Sequence, residues 1–200
     1  MKSFKKLKSK LVVAAAASLI AFSANGQAVE QGDVAIGAFY GSPSIGTLFL
    51  QALLTADDSD FQTAAEFSFL GPVGIKAEYM VAEKLGIGIE ASYSTWSLTS
   101  ATEKFTATRI RLAPRFSYHL GSSDVFDSYF SLGMGFKNST YKFTSDDPTA
   151  VFDESDLPST PLTLRIAWGG RYYITEQFAI ATELGFGGGY LISGGLVFKP

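Results

Sequence analysis

Between Leu85 and Tyr93 the chain reads L-G-I-G-I-E-A-S-Y, with apolar residues on odd positions and Gly, Glu and Ser on even ones. A strand turns successive side chains to opposite faces, so such a segment has one greasy face and one small or polar face. The same alternation returns in seven other segments. It predicts eight strands, over Asp33–Gly41, Val73–Val81, Leu85–Ser97, Phe105–Leu120, Ser128–Tyr141, Leu162–Ile174, Phe178–Phe186 and Tyr190–Phe198. Most are about the 9–11 residues that a tilted strand needs to cross a hydrocarbon layer. Ala82-Glu83-Lys84, Gly121–Asp127 and Thr175–Gln177 read as short turns. Ser42–Pro72, Leu98–Lys104 and Pro148–Pro161 with its flanks read as longer, more polar loops, and Gly187-Gly188-Gly189 as a tight hairpin. Short turns at one end and longer loops at the other are the asymmetry of a membrane barrel.

Parity assigns the faces. The greasy set runs through Val34, Ile36 and Tyr40, Ile75 and Tyr79, Ile87, Ile89 and Tyr93, and Ile110, Leu112, Phe116 and Tyr118. It continues through Phe130, Leu132, Met134 and Phe136, Leu164, Ile166, Trp168 and Tyr172, Phe178, Ile180, Leu184 and Phe186, and Tyr190, Ile192, Leu196 and Phe198. None of these is charged. An Arg or Lys facing lipid at mid-depth costs about 2–4 kcal/mol, so an uncharged face is what lipid exposure demands. Tyr and Phe also collect near strand ends, where amphipathic rings favour the two membrane interfaces. Tyr79, Tyr118, Phe130, Tyr172, Phe178 and Phe198 fall at one rim; Tyr40, Tyr93, Phe136, Phe186 and Tyr190 fall at the other.

The first 26 residues form an export signal. Lys2, Lys5, Lys6, Lys8 and Lys10 precede an apolar run from Leu11 to Phe22, and Ala24-Asn25-Gly26 supplies a small-residue cleavage site before Gln27. Residues 27–200 are then one barrel domain. The apolar run is about 12 residues, short of the roughly 20 of a spanning helix, and no downstream run is long enough either. Only helices and closed barrels satisfy every backbone group inside lipid, which leaves the barrel. The chain has no cysteine, which excludes disulfides and thiolate metal sites. Removing the five signal lysines leaves 11 basic against 19 acidic residues, a net charge of −8, which argues against nucleic acid as a partner.

Candidate chemistry lies on the small-and-polar face. Parity places Lys76, Arg109, Arg111, Arg115, Lys137, Arg165 and Arg171 inside, with Glu78, Glu90 and Glu183. An eight-stranded interior is only wide enough to be filled by side chains, so these ten predict a paired charge network in the lumen. A cation-lined path for anions or water is the alternative. His119 is the one histidine, and Ser117 shares its face; general acid–base work would need a partner within reach. Strand direction puts His119 at the short-turn end, which argues for a polar lumen residue over a catalytic one. Asp57-Asp58-x-Asp60 and Asp146-Asp147 with Asp153-Glu154-x-Asp156 make two loops acidic, without the Gly and terminal Glu spacing of a calcium loop. No cofactor, metal or catalytic set is expected. Thr47–Leu54 alternates like a strand, yet Leu48, Phe49, Ala52 and Leu53 also share a helical face. Were Thr47–Leu54 and Ala64–Leu70 both strands, the barrel would have ten.

The segments G-P-V-G-I-K-A-E-Y at Gly71–Tyr79, L-G-I-G-I-E at Leu85–Glu90 and R-I-R-L-A-P-R-F-S-Y-H-L at Arg109–Leu120 resemble the small bacterial outer-membrane barrels, those of the OmpX, OmpW and OmpA-membrane-domain kind. The likeness is greatest to the outer membrane protein beta-barrel domain group and covers nearly all of the chain after the signal. It implies an all-β, eight-stranded antiparallel transmembrane β-barrel in the bacterial outer membrane, surrounded by outer-membrane lipid and lipopolysaccharide. It further implies a monomer that meets any extracellular ligand through its loops. One departure is the end of the chain. Many such barrels stop on an aromatic residue, whereas Phe198 is followed here by Lys199 and Pro200. Three roles fit such a barrel: a non-enzymatic structural or interaction protein, a narrow channel for small solutes, and a lipid-modifying enzyme.

Overall fold

The computed structural model describes residues 28–43, 66–100, 102–146 and 160–200. Eight antiparallel strands follow one another in chain order: β1 (Val34–Gly41), β2 (Glu66–Ala82), β3 (Leu85–Thr99), β4 (Glu103–Ser122), β5 (Phe126–Ser145), β6 (Leu162–Tyr173), β7 (Phe178–Gly187) and β8 (Ile192–Phe198). Each pairs with its neighbour, and β8 returns to β1 from Ile36↔Phe198 to Gly41↔Ser193, closing the barrel. Closure leaves no unpaired strand edge, the condition for a sheet to sit in lipid.

The alternation read from the sequence is the alternation of burial. Along β4 every odd residue from Arg111 to His119 is buried, and every even residue from Leu112 to Leu120 is exposed. The exposed set elsewhere includes Ile36, Ile75, Ile89, Leu132, Met134, Ile166, Phe186 and Leu196, so the barrel wears its large aliphatic and aromatic side chains outside. In water such a surface would be a liability. In lipid it is the solvent-facing surface, and Phe178 and Phe198 meet at its rim with ring centroids 5.0 Å apart.

Several strands are longer than predicted. Glu66–Leu70 is the first part of β2 and not a separate strand, so the ten-stranded alternative fails on that segment; Thr47–Leu54 lies outside the described residues. A register shift between Leu70 and Val73 carries the strand through Gly71-Pro72. Such a bulge absorbs a proline that has no N–H for the ladder, which is why the dipeptide reads as a break in sequence but is none in space. Leu98–Lys104, expected as a longer loop, is mostly strand. β3 and β4 run on to Thr99↔Lys104, and Ser100 N–H donates to the Glu103 carbonyl at 2.7 Å.

β4 and β5 reach 20 residues each, about twice the span of a hydrocarbon layer. Beyond Tyr93 and Ile110 the faces exchange character. Outward positions become Thr95, Ser97, Thr106, Thr108, Thr140 and Lys142, while the inner face carries Phe67, Trp96, Phe105 and Tyr141. These rings run across four strands with centroids 6.1, 5.3 and 6.0 Å apart. Outside lipid the outer face meets water, so only the inner face can shelter apolar surface.

The opposite end is stoppered. Ala28 and Val29 are buried against Ala35, Met80, Tyr173, Ala179 and Val197. Ala28 N–H donates to the Ser123 carbonyl (2.8 Å), and Gly32 N–H to that of Met80 (2.9 Å). Lys199 completes this cap: its Nζ donates to the Ala28 carbonyl at 2.9 Å and pairs with Asp33 at 3.3 Å. Lys199 therefore ties the segment after β8 to the segment before β1.

A closed ladder of this kind resists detergent, because its backbone bonds close on themselves. Unboiled and boiled samples are expected to migrate differently on a gel, with a β-type circular dichroism spectrum. Identical migration with a helical spectrum would contradict the fold.

Candidate functional site: the charged lumen

All ten charged residues assigned inward by parity stand on the inner side of the barrel wall, and they sort into layers by height. Nearest the stopper are Glu78 of β2, His119 of β4 and Arg171 of β6. Arg171 hydrogen-bonds Glu78 through Nη2, and its Nη1 lies 3.6 Å from Asp127 of β5. His119 Nδ1 shares a 2.7 Å hydrogen bond with Asp127 Oδ1, and its Nε2 is 3.8 Å from Glu78. The Tyr129 ring packs beneath Arg171, 4.6 Å from the guanidinium carbon.

The middle layer is built on two carboxylates. Glu90, 1 % exposed, accepts from Arg111 Nη1, from Arg115 Nη1 at 2.8 Å and from the Tyr190 hydroxyl at 2.8 Å. Glu183 accepts from Arg115 Nη2 at 2.7 Å, Lys76 Nζ at 2.6 Å and the Tyr129 hydroxyl at 2.9 Å. Arg115 bridges the two acids with one planar fork, the geometry for which a guanidinium is suited. Lys76 also lies over the Phe39 ring at 4.3 Å. These groups come from β2, β3, β4, β5, β7 and the β7–β8 hairpin, so the layer crosses the whole bore. Buried charges are tolerated only when paired and hydrogen-bonded, and here nearly every carboxylate oxygen accepts at least one donor.

The outermost layer is sparser. Arg165 Nη1 donates to the carbonyls of Gly187 (3.1 Å) and Tyr190 (2.6 Å), and its guanidinium covers the Tyr190 ring at 3.6 Å. Arg109 Nε donates to Ser139 Oγ at 3.3 Å, and Lys137 stands opposite Arg111 in the β4–β5 register. Both Arg109 and Lys137 are half-buried.

Three members of the network escape the sequence reading. Tyr190, assigned to lipid, is 1 % exposed and faces the lumen. The preceding glycines at 187, 188 and 189 take φ of +83°, +68° and +93°, which breaks the parity of β8 before it begins and swings the ring inward. Asp127, assigned to a turn, is the first inward residue of β5, fully buried. Tyr129 follows it at the next inward position, and the space for its ring is left by Gly169, where a Cβ would stand 2.5 Å from the ring. The beat Asp127, Tyr129, Ser131, Gly133 is itself in the sequence: Tyr129 already holds an inward position of the strand read over Ser128–Tyr141, and extending that strand by one pair would have found Asp127. Ser117 and His119 are buried at the stoppered end. The acidic loops over 57–60 and 153–156, like the export signal, lie outside the described residues.

A closed eight-stranded wall with a lipid-type exterior, a charged interior and alternating connections defines a small transmembrane barrel. Residues 14–193 match the outer membrane protein beta-barrel domain, and the chain belongs to that family, a small protein of the bacterial outer membrane. The short-turn end is then periplasmic and the extended end external. No curated protein matches the chain in sequence. Among solved structures it is similar to OprG of Pseudomonas aeruginosa, at 15% identity over 84% of this chain and 90% of that one (TM-score 0.42). It is similar also to the N-terminal barrel of Pseudomonas aeruginosa OprF, at 14% over 86% and 100% (0.40). Ail of Yersinia pestis aligns at 10% over 84% and 95% (0.43).

Proposed function

We propose that this protein is a sealed, non-enzymatic outer-membrane barrel that acts by structure and by its external surface. The observation that carries the reading is the middle layer, where Glu90 and Glu183 hold Lys76, Arg111 and Arg115 across the bore. Below it, the space between β1, β2, β7 and β8 is a cavity of about 30 Å³, room for a water or two rather than for a file of hydrated ions. The Ala28–Val29 stopper lies beneath that. The partners of such a barrel are outer-membrane lipid and lipopolysaccharide along its sides and an extracellular ligand at its loops, and it works as a monomer.

Planar-bilayer recordings should show no steady conductance; a steady, ion-selective current would favour the narrow channel instead. His119 is 3 % exposed and bonded to Asp127 at the periplasmic end, so a lipid substrate in the outer leaflet cannot reach it. Replacing His119 with Ala should leave cellular lipid A and surface proteins unchanged. A lipid A mass shift that depends on His119 would overturn the non-enzymatic reading.

A further inference from the structure

The charges of the lumen are not evenly matched along its length. In the periplasmic layer Glu78 and Asp127 face Arg171 and His119, a near balance. From the middle layer outward, six cations stand against two acids among the described residues, and only Lys76, Arg111, Arg115 and Arg165 lie within 4.0 Å of Glu90 or Glu183. The surplus is concentrated at the external side. Among the described residues, Arg109 bonds only a hydroxyl, Lys137 joins no ion pair, and Arg165 reaches Glu183 no closer than 3.8 Å. Arg111 and Arg165, each 2 % exposed, keep N–H groups without a hydrogen-bond partner among the described residues: Nη2 of the first, Nε and Nη2 of the second. Buried guanidinium donors left unmet are costly, and a shared counter-charge relieves several at once.

The β7–β8 hairpin is where these cations meet. A Cβ on Gly188 would stand 2.9 Å from Arg165 Cδ and 3.2 Å from Arg111 Cζ, so the arginines press against the bare backbone there, and one on Gly189 would stand 3.6 Å from Arg109 Nη1. Three arginines thus converge on a two-residue edge that carries no side chains. We propose that Arg109, Arg111, Lys137 and Arg165 form an anion-binding site in the external part of the lumen, for a tetrahedral oxyanion of the phosphate or sulfate class. The donors come from three strands, β4, β5 and β6, and a tetrahedral ion can accept from several directions at once, as a flat carboxylate cannot. The surplus of positive charge calls for a ligand carrying two negative charges. Half-buried Arg109 and Lys137 give it entry from the external side, inside the wall and away from lipid headgroups. The site goes beyond the sealed-barrel reading: it lies above the layer that closes the bore and is judged by binding, not by conductance.

The test is a calorimetric titration of the full barrel, folded in a phosphate-free detergent, with inorganic phosphate at constant ionic strength in chloride. Saturable binding to one site is expected. Arg109→Gln and Lys137→Gln, both at partly exposed positions whose variants should still fold and shift on a gel, should each weaken it about tenfold or more. Lys142→Gln removes the same charge from the outward face of β5 and should leave binding unchanged. Absence of saturable binding, or an equal loss in the Lys142 variant, overturns the site. Sulfate should compete. Competition by glucose 6-phosphate as well would assign the site to the phosphate head of a larger solute; phosphate and sulfate alone would assign it to the free ion, and either sustains it.

Discussion

Glu90→Gln should lose about 3–5 kcal/mol of stability in urea unfolding from lipid vesicles, the largest effect expected of any single conservative change in this barrel. The amide keeps the shape of the carboxylate and removes its charge. Arg111, Arg115 and the Tyr190 hydroxyl all donate to Glu90, and Lys76 lies 4.0 Å from it. Without that charge the middle layer keeps Glu183 as its one acid, and the guanidinium of Arg111 is buried with no ionic partner. The penalty is large because the cations remain; a buried charge that has lost its partner costs more than the intact pair contributed. Glu30→Gln, at an exposed position, serves as the control and should change stability by less than about 0.5 kcal/mol. A Glu90 variant as stable as that control would mean that the layer does not hold the barrel, and with it the sealed reading would lose its main support.

One residue away the expected loss has the opposite cause. Ile89 points into lipid, 46 % exposed, near the middle of the membrane-crossing part of β3. Ile89→Arg should cost about 2–4 kcal/mol, because a guanidinium at that depth must stay charged in hydrocarbon or drag water and headgroups inward. Ile89→Leu, of equal volume and polarity, should be close to neutral. Unfolding from vesicles of the same lipid measures both. An arginine tolerated at position 89 would place this face against water or protein and remove the barrel from the bilayer. Charge is thus required at position 90 and forbidden at position 89, the two-residue period of a strand expressed in free energy.

That period explains how much of this protein is legible from its chain. A period-two pattern of apolar residues with an uncharged face fixes the number of strands, their faces and their medium, since one misplaced cation on the lipid side would be felt at once. Lys76, Glu78, Glu90, Arg111, Arg115 and Arg171 could be placed inside by parity because each sits in the middle of a regular strand. Parity fails where regularity fails. Tyr190 follows three glycines with positive φ, and counting in twos across that hairpin points the ring the wrong way. The outer ends of β3, β4 and β5 were hidden for a related reason: polar residues on the outer face of an extended strand look like a loop when the expected solvent is lipid.

By itself, then, the sequence determined the barrel, its faces and its residence, because each depends on local alternation and on the cost of charge in hydrocarbon. Which cation meets which acid was decided only by tertiary structure. Arg171 of β6 finds Glu78 of β2, and Arg115 of β4 joins Glu90 of β3 to Glu183 of β7. The Arg171–Glu78 and Arg115–Glu183 pairs span the bore between strands that are not neighbours in the sheet, and closure alone sets their distance. The same holds for the ends. Nothing local to Ala28, Val29 or Lys199 marks a stopper; it exists because β8 pairs with β1 and brings the two termini of the wall together.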